Sequence, residues 1–157
     1  MEKKMKIEDM IPVISEVINS GGDFRMITAG TSMMPLLRDR KDVVILTKAE
    51  LPLHKYDIPL YRRTDGTFII HRIVGVKNGE YIMCGDNQFI PEYGITDKQI
   101  YALVKGIVRK GKYINMDSKR YKAYVLLRVH TRVLRRFAVR AKGKLKRTFG
   151  FKSDKNR

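Results

Sequence analysis

The chain of 157 residues is long enough for one domain with its own core and too short for two full ones, so a single catalytic or binding module is expected. Its charge is lopsided: of 33 Lys and Arg and 16 Asp and Glu, residues 117–157 hold 15 of the basic and 2 of the acidic side chains, so any attraction to phosphate or anionic lipid belongs to that segment. Cys84 is the single cysteine, which excludes an internal disulfide scaffold and fits a reducing cytosol, and no apolar run approaches the roughly 20 residues of a membrane-spanning helix.

Met1–Lys6 is charged, and Glu8, Asp9 and Glu16 break the apolar stretch behind it, so no signal peptide is expected. Ile7, Met10, Ile11, Ile14, Val17 and Ile18 recur at three- and four-residue spacing, which predicts a short amphipathic helix closed by Ser20-Gly21-Gly22. From Phe24 to about Asn115 short β-prone runs alternate with turn residues, predicting strands near 24–28, 43–47, 58–62, 67–76, 80–84, 101–109 and 112–115. Thr64-Asp65-Gly66 and Asn78-Gly79 carry turn chemistry, and the second predicts that strands 67–76 and 80–84 pair as a tight antiparallel hairpin. Pro59 lacks a backbone donor, which puts its strand at a sheet edge or in an irregular segment. Beyond Asp117, Tyr121, Tyr124, Val125, Arg128, Val129, Arg132, Val133, Arg136, Phe137 and Arg140 predict one long basic helix, with Lys152–Arg157 disordered. The expected fold is mainly β, of the α+β class: a helix in 1–22, the main domain in 23–116 and a basic helical tail in 117–157.

Three segments carry residues able to do chemistry. Gly30-Thr31-Ser32-Met33-Met34-Pro35 puts a serine in a turn after a strand, where free N–H groups could hold an oxyanion; taken alone, such a serine more often supplies turn hydrogen bonds. In Ile69-Ile70-His71-Arg72-Ile73-Val74, strand alternation sets His71 among Ile69 and Ile73, where desolvation favours the neutral imidazole that can accept a proton, although a lone strand histidine is commonly a satisfied core residue. His54 and His130, in a polar loop and a basic helix, have no comparable setting. Cys84-Gly85-Asp86-Asn87 follows the hairpin partner of the His71 strand, so Asp86, or Glu92 further along the loop, is a candidate to orient the imidazole, against the plainer reading of an Asx turn.

In this order the segments resemble the signal peptidase I family and its LexA-like relatives over roughly residues 24–110. The match comprises Gly30-x-Ser32-Met33-x-Pro35, Asp42-Val43-Val44, Tyr56-Asp57-Ile58, His71-Arg72-Ile73-Val74, Gly85-Asp86-Asn87 and Val104-Lys105-Gly106-Ile107-Val108. The resemblance implies a mostly β serine endopeptidase that needs neither cofactor nor metal and takes a peptide or preprotein, with Ser32 as nucleophile. His71 stands where bacterial signal peptidases and LexA-like proteins have a lysine base and where archaeal and endoplasmic-reticulum forms have histidine. Asp86 matches the acid of the Gly-Asp-Asn motif, and Glu92 stands at about the place of a later acid that is usually aspartate. Gly30 stands where many members carry an oxyanion-binding serine, leaving that task to the Ser32 N–H with Thr31 and Met33 beside it.

The chain also departs from typical members in having no transmembrane anchor, so a cytoplasmic protein, peripheral on the membrane, is expected. Tyr121, Val125, Val129, Val133 and Phe137 backed by Arg132, Arg136, Arg140 and Lys144 could lie on an anionic bilayer, against the alternative of a solvated or packed helix. Two other classes stand beside the peptidase. A non-catalytic or self-cleaving LexA-like regulatory module is opposed by the lack of a helix-turn-helix pattern in the 31 residues before Ser32. Nucleic-acid binding rests on net charge alone, without the interleaved aromatics that single-strand binding favours, and is not expected.

Overall fold

Short β-branched and aromatic runs split by turns leave the chain little choice but antiparallel pairing. The computed structural model describes residues 7–149, so the readings of Met1–Lys6 and Lys152–Arg157 fall outside it, as do the Arg140 and Lys144 side chains. Among the described residues nine strands occur: β1 (Phe24–Ile27), β2 (Asp42–Thr47), β3 (Pro59–Arg62), β4 (Phe68–Ile70), β5 (Arg72–Lys77), β6 (Glu80–Cys84), β7 (Glu92–Ile95), β8 (Ile100–Arg109) and β9 (Lys112–Ile114). They make two antiparallel sheets, one ordered β1-β2-β8-β3-β4 with β9 also on β8, the other β5-β6-β7. With helices α1 (Ile7–Asn19), α2 (Lys119–His130) and α3 (Arg132–Phe149) the molecule is mainly β, of the α+β class.

β8 is the spine of the larger sheet. One edge pairs with β2 from Leu103 to Arg109, and the other pairs first with β3 and then with β9. Val44, Leu46, Leu60, Ala102, Val104 and Ile107 bury on one side of this sheet beneath Ile14 and Ile18 of α1, whose four-residue spacing puts both on the inner face. Gly21, at φ +85°, turns the chain out of α1, because a residue with a Cβ is strained in that conformation. A second core, built on Tyr61, Ile73, Tyr81 and Met83, lies where the two sheets meet.

Four expectations change. The strand predicted over 67–76 is two strands in different sheets, parted at His71: the Ile73 N–H donates to the Asp57 carbonyl at 2.8 Å and so starts a new pairing away from β3. Pro59 lies in an interior strand, but as its first residue, one position before pairing with β4 starts at Leu60, so the missing donor costs no ladder bond. β7 had no clear signal, since Glu-Tyr-Gly-Ile follows Pro91 and contains Gly94 at φ +75°. The single C-terminal helix is two, divided at Thr131, whose hydroxyl and N–H both donate to the Leu127 carbonyl at 2.6 and 3.0 Å. The hairpin follows expectation, with Asn78 and Gly79 at positive φ between the paired Lys77 and Glu80.

The helical segment after 117 is part of the fold: Ser118 caps α2 by accepting from the Tyr121 N–H at 3.2 Å, Val125 is buried, and Tyr121 and Tyr124 pack on the main core. Among the described residues no helix is long and apolar enough to cross a membrane. Because Ile14 is fully buried, Ile14→Ala should lower the unfolding free energy by about 2–5 kcal/mol, read from the urea midpoint; an unchanged midpoint would show that α1 lies outside the cooperative core.

Candidate active site

The Ser32 loop leaves the end of β1 and is tied down on both sides. Gly30, at φ +105°, donates its N–H to Asp39 Oδ1 at 2.7 Å, and the Arg40 N–H returns to the Thr28 carbonyl at 2.9 Å. Beneath the loop the buried Asp42 carboxylate accepts from Arg38 and Arg109, and Arg109 Nη2 also donates to the Leu36 carbonyl at 2.6 Å. Burial pushes the Asp42 carboxyl up, yet these two guanidinium groups outweigh it and hold it well below the ordinary range. Met33 is buried in the main core, so Ser32 is held half-buried at the tip of a fixed loop.

His71 occupies the joint between β4 and β5 and is 1% exposed. Its Nδ1 lies 3.2 Å from Glu92 Oε1 and 3.3 Å from the Tyr61 hydroxyl. Tyr61 donates its proton to Glu92 Oε2 at 3.0 Å, so the bond between ring and carboxylate needs the hydrogen on Nδ1, and Nε2 keeps its lone pair. Burial lowers the His71 pKa below the ordinary imidazole value; Glu92 opposes this and Arg63 adds to it. The ring is therefore neutral at pH 7 and oriented.

Nε2 is buried and has no hydrogen-bond partner among the described residues, so the Ser32 hydroxyl is not bonded to it here. The Ser32 backbone, however, lies near the ring. A Cβ placed on Gly85 would lie 2.6 Å from the Ser32 carbonyl oxygen and 3.1 Å from His71 Nε2, so glycine is what lets loop, ring and serine backbone meet. The next residues clasp the same loop, the Asn87 N–H donating to the Ser32 carbonyl at 2.7 Å and Asn87 Nδ2 to the Thr31 carbonyl at 3.2 Å.

The two candidate acids have separate settings. Asp86 turns away from His71 and pairs with Arg72, whose Nε and Nη2 each donate at 2.8 Å to its two oxygens, while Tyr124 donates at 2.9 Å. Glu92 is the carboxylate against His71. It is held by Tyr61 and by Arg63, whose Nε donates at 2.7 Å and whose second nitrogen also contacts it closely. Burial raises the Glu92 carboxyl, but Arg63 and Tyr61 prevail and keep it below its usual range. β7 begins at this residue and pairs Glu92 with Met83 on β6.

Of the expected oxyanion residues, Gly30 spends its N–H on Asp39, and Thr31 has its carbonyl engaged by Asn87 and the Met34 N–H. The N–H groups of Thr31, Ser32 and Met33 donate to no acceptor among the described residues and are the available donors. His54 is exposed beside Asp57, and His130 contacts the Tyr56 hydroxyl at 3.4 Å, both away from this cluster.

The sequence pointed to neither Tyr61 nor Arg63, and to Arg128 only as a basic residue of the C-terminal helix. Arg128 Nε donates to the Asp86 carbonyl at 2.8 Å and its Nη2 to the Met34 carbonyl at 3.2 Å, so α2 bridges the Gly-Asp-Asn loop and the serine loop. Only their contacts reveal them. Among the described residues no group of three or more His, Cys, Asp and Glu side chains is arranged to hold a metal ion. The chain matches no protein-family model, and no curated protein matches it either.

Asp86→Asn leaves a buried guanidinium without its carboxylate and should cost about 3–5 kcal/mol in chemical denaturation. Gly85→Ala must push the loop off Ser32, since 2.6 Å is closer than a Cβ approaches a carbonyl oxygen; a variant with unchanged thermal midpoint and unshifted His71 imidazole resonances would contradict the close approach described above.

Proposed function

We propose that the chain is a serine endopeptidase with a signal peptidase I and LexA-like catalytic fold, cutting a peptide or leader sequence with Ser32 as nucleophile, His71 as base and Glu92 as the acid that orients the base. The observation that carries the reading is the meeting at Gly85 of the Ser32 backbone and the lone-pair nitrogen of an imidazole whose other nitrogen faces a carboxylate. Asp86 has a different part, holding Arg72, the residue next to His71.

An extended substrate adds as a strand beside β1, the outer strand of the larger sheet, whose end runs into the Ser32 loop. His71 Nε2 takes the Ser32 proton as Oγ bonds to the scissile carbonyl carbon, and the oxyanion accepts from the Ser32 and Met33 N–H groups. Collapse of the tetrahedral adduct breaks the C–N bond, and His71 gives its proton to the leaving amine. Water, deprotonated by the same nitrogen, then releases the acyl group and regenerates Ser32. The charge that His71 carries between these steps is stabilised by Glu92, which itself stays ionised.

The decisive experiment incubates the protein with a complex peptide library and reads new termini by mass spectrometry. Wild type should produce them at a defined sequence pattern, Ser32→Ala and His71→Ala should not, and equal cleavage by Ser32→Ala overturns the proposal. For the cleaved sequence, kcat/KM should rise with pH through a transition below the ordinary imidazole pKa of 6.5, since the base must be neutral and burial lowers its pKa. Glu92→Gln removes a charge that favours imidazolium, so its acid limb moves lower still while the plateau falls by about 10²-fold or more. An acid limb that moves up would mean that Glu92 does not face the working base.

A further inference from the structure

We infer that α3 and the loop between β6 and β7 together form a docking surface for an anionic phospholipid bilayer, with the lip of the catalytic groove at the lipid surface. Val133 and Phe137, four residues apart on one side of α3, are 59% and 62% exposed; across from them Ile90 of the loop and Tyr93 at the start of β7 are 73% and 69% exposed. Single exposed apolar residues are ordinary, but these belong to two adjoining grooves, of about 330 and 560 Å³, that share Phe89, Pro91 and Arg136. A helix face and a loop so far apart in sequence thus make one apolar surface.

The same surface is short of anions. Arg132 and Arg136 line these grooves and take part in no ion pair among the described residues, while Arg128 and Arg135 beside them donate to backbone carbonyls. Burial, and then the neighbouring Arg128, push the Arg135 pKa down. Guanidinium groups lacking anions, interleaved with exposed aliphatic and aromatic side chains, match a surface of phosphate above hydrocarbon. A single-stranded RNA supplies phosphate but no medium in which Val133, Phe137 and Ile90 lose water, so the apolar half of the surface favours lipid.

The larger groove runs on to Arg63, Gln88 and Glu92. If the catalytic reading of Glu92 holds, a chain leaving the bilayer enters the site directly, and the substrate class becomes membrane-associated peptides. The docking itself does not rest on that reading.

The full-length protein is mixed with vesicles of phosphatidylcholine alone, or with half phosphatidylglycerol, and bound protein is separated by flotation. Wild type and Ser32→Ala should bind the anionic vesicles at least about 10-fold more tightly than the neutral ones, and added salt should weaken the binding. Two pairs of substitutions leave the net charge unchanged at exposed positions: Ile90→Ser with Tyr93→Ser, and Val133→Ser with Phe137→Ser. Each pair should weaken binding by about 10-fold, because each removes apolar area from the lipid contact. The inference is overturned if wild type ignores anionic vesicles or binds both kinds equally. It is also overturned if either pair binds like wild type, or if a single-stranded RNA of 20 nucleotides is bound more tightly than the vesicles. Loss of peptide cleavage in Ser32→Ala with vesicle binding intact keeps the two proposals separable.

Discussion

The buried pair of Arg72 and Asp86 is the constraint on which the candidate site depends. Their side chains are 0% and 2% exposed, and each is the immediate neighbour of a residue that must be placed accurately, Arg72 of His71 and Asp86 of Gly85. Two parallel hydrogen bonds between guanidinium and carboxylate fix both distance and angle, so the end of β6 cannot slide along the start of β5 without separating buried charges. What remains of their bonding capacity is taken up by the Tyr56 carbonyl, the Tyr121 hydroxyl and the Tyr124 hydroxyl. Burial alone would weaken the charged form of Arg72, yet Asp86 outweighs it and raises its pKa.

With that frame set, two carboxylates only six residues apart do different work. Asp86 is enclosed and structural, while Glu92 is a quarter exposed in its side chain and electrostatic in effect, facing His71 on one side and Arg63 on the other. Arg63 keeps Glu92 ionised, and the same positive charge opposes protonation of His71. The result is a carboxylate able to orient an imidazole without turning it into a standing imidazolium. Tyr61, fully buried between them, fills the remaining acceptor position and so fixes which nitrogen of the ring is free.

The basic C-terminal segment is both wall and surface. α2 closes the main core through Val125 and clamps two loops of the site through Arg128, so part of its charge serves the interior. Arg135 continues the clamp, donating to the Asp86 carbonyl at 3.3 Å and stacking its guanidinium 5.6 Å from the Phe89 ring. Beyond the break at Thr131, Arg132, Val133, Arg136 and Phe137 of α3 line a groove with Phe89, Pro91 and Tyr93.

The residues themselves determined a good deal. The alternation of β-prone runs with turns located most strands, the Asn78-Gly79 pair specified a hairpin, and the helical spacing of Ile14 and Ile18 marked a buried face, because these depend on local backbone preference and period. The order of the Ser32, His71 and Gly85-Asp86-Asn87 motifs, through its resemblance to a known family, singled out segments that meet at Gly85. Contacts across the fold decided the rest. Whether Asp86 or Glu92 faces His71 depends on where β7 pairs, and the parts played by Tyr61, Arg63 and Arg128 depend on partners 29 or more positions away for the last two and 10 for the first. Such assignments are fixed by the meeting of two sheets and a helix pair, and no local propensity encodes them.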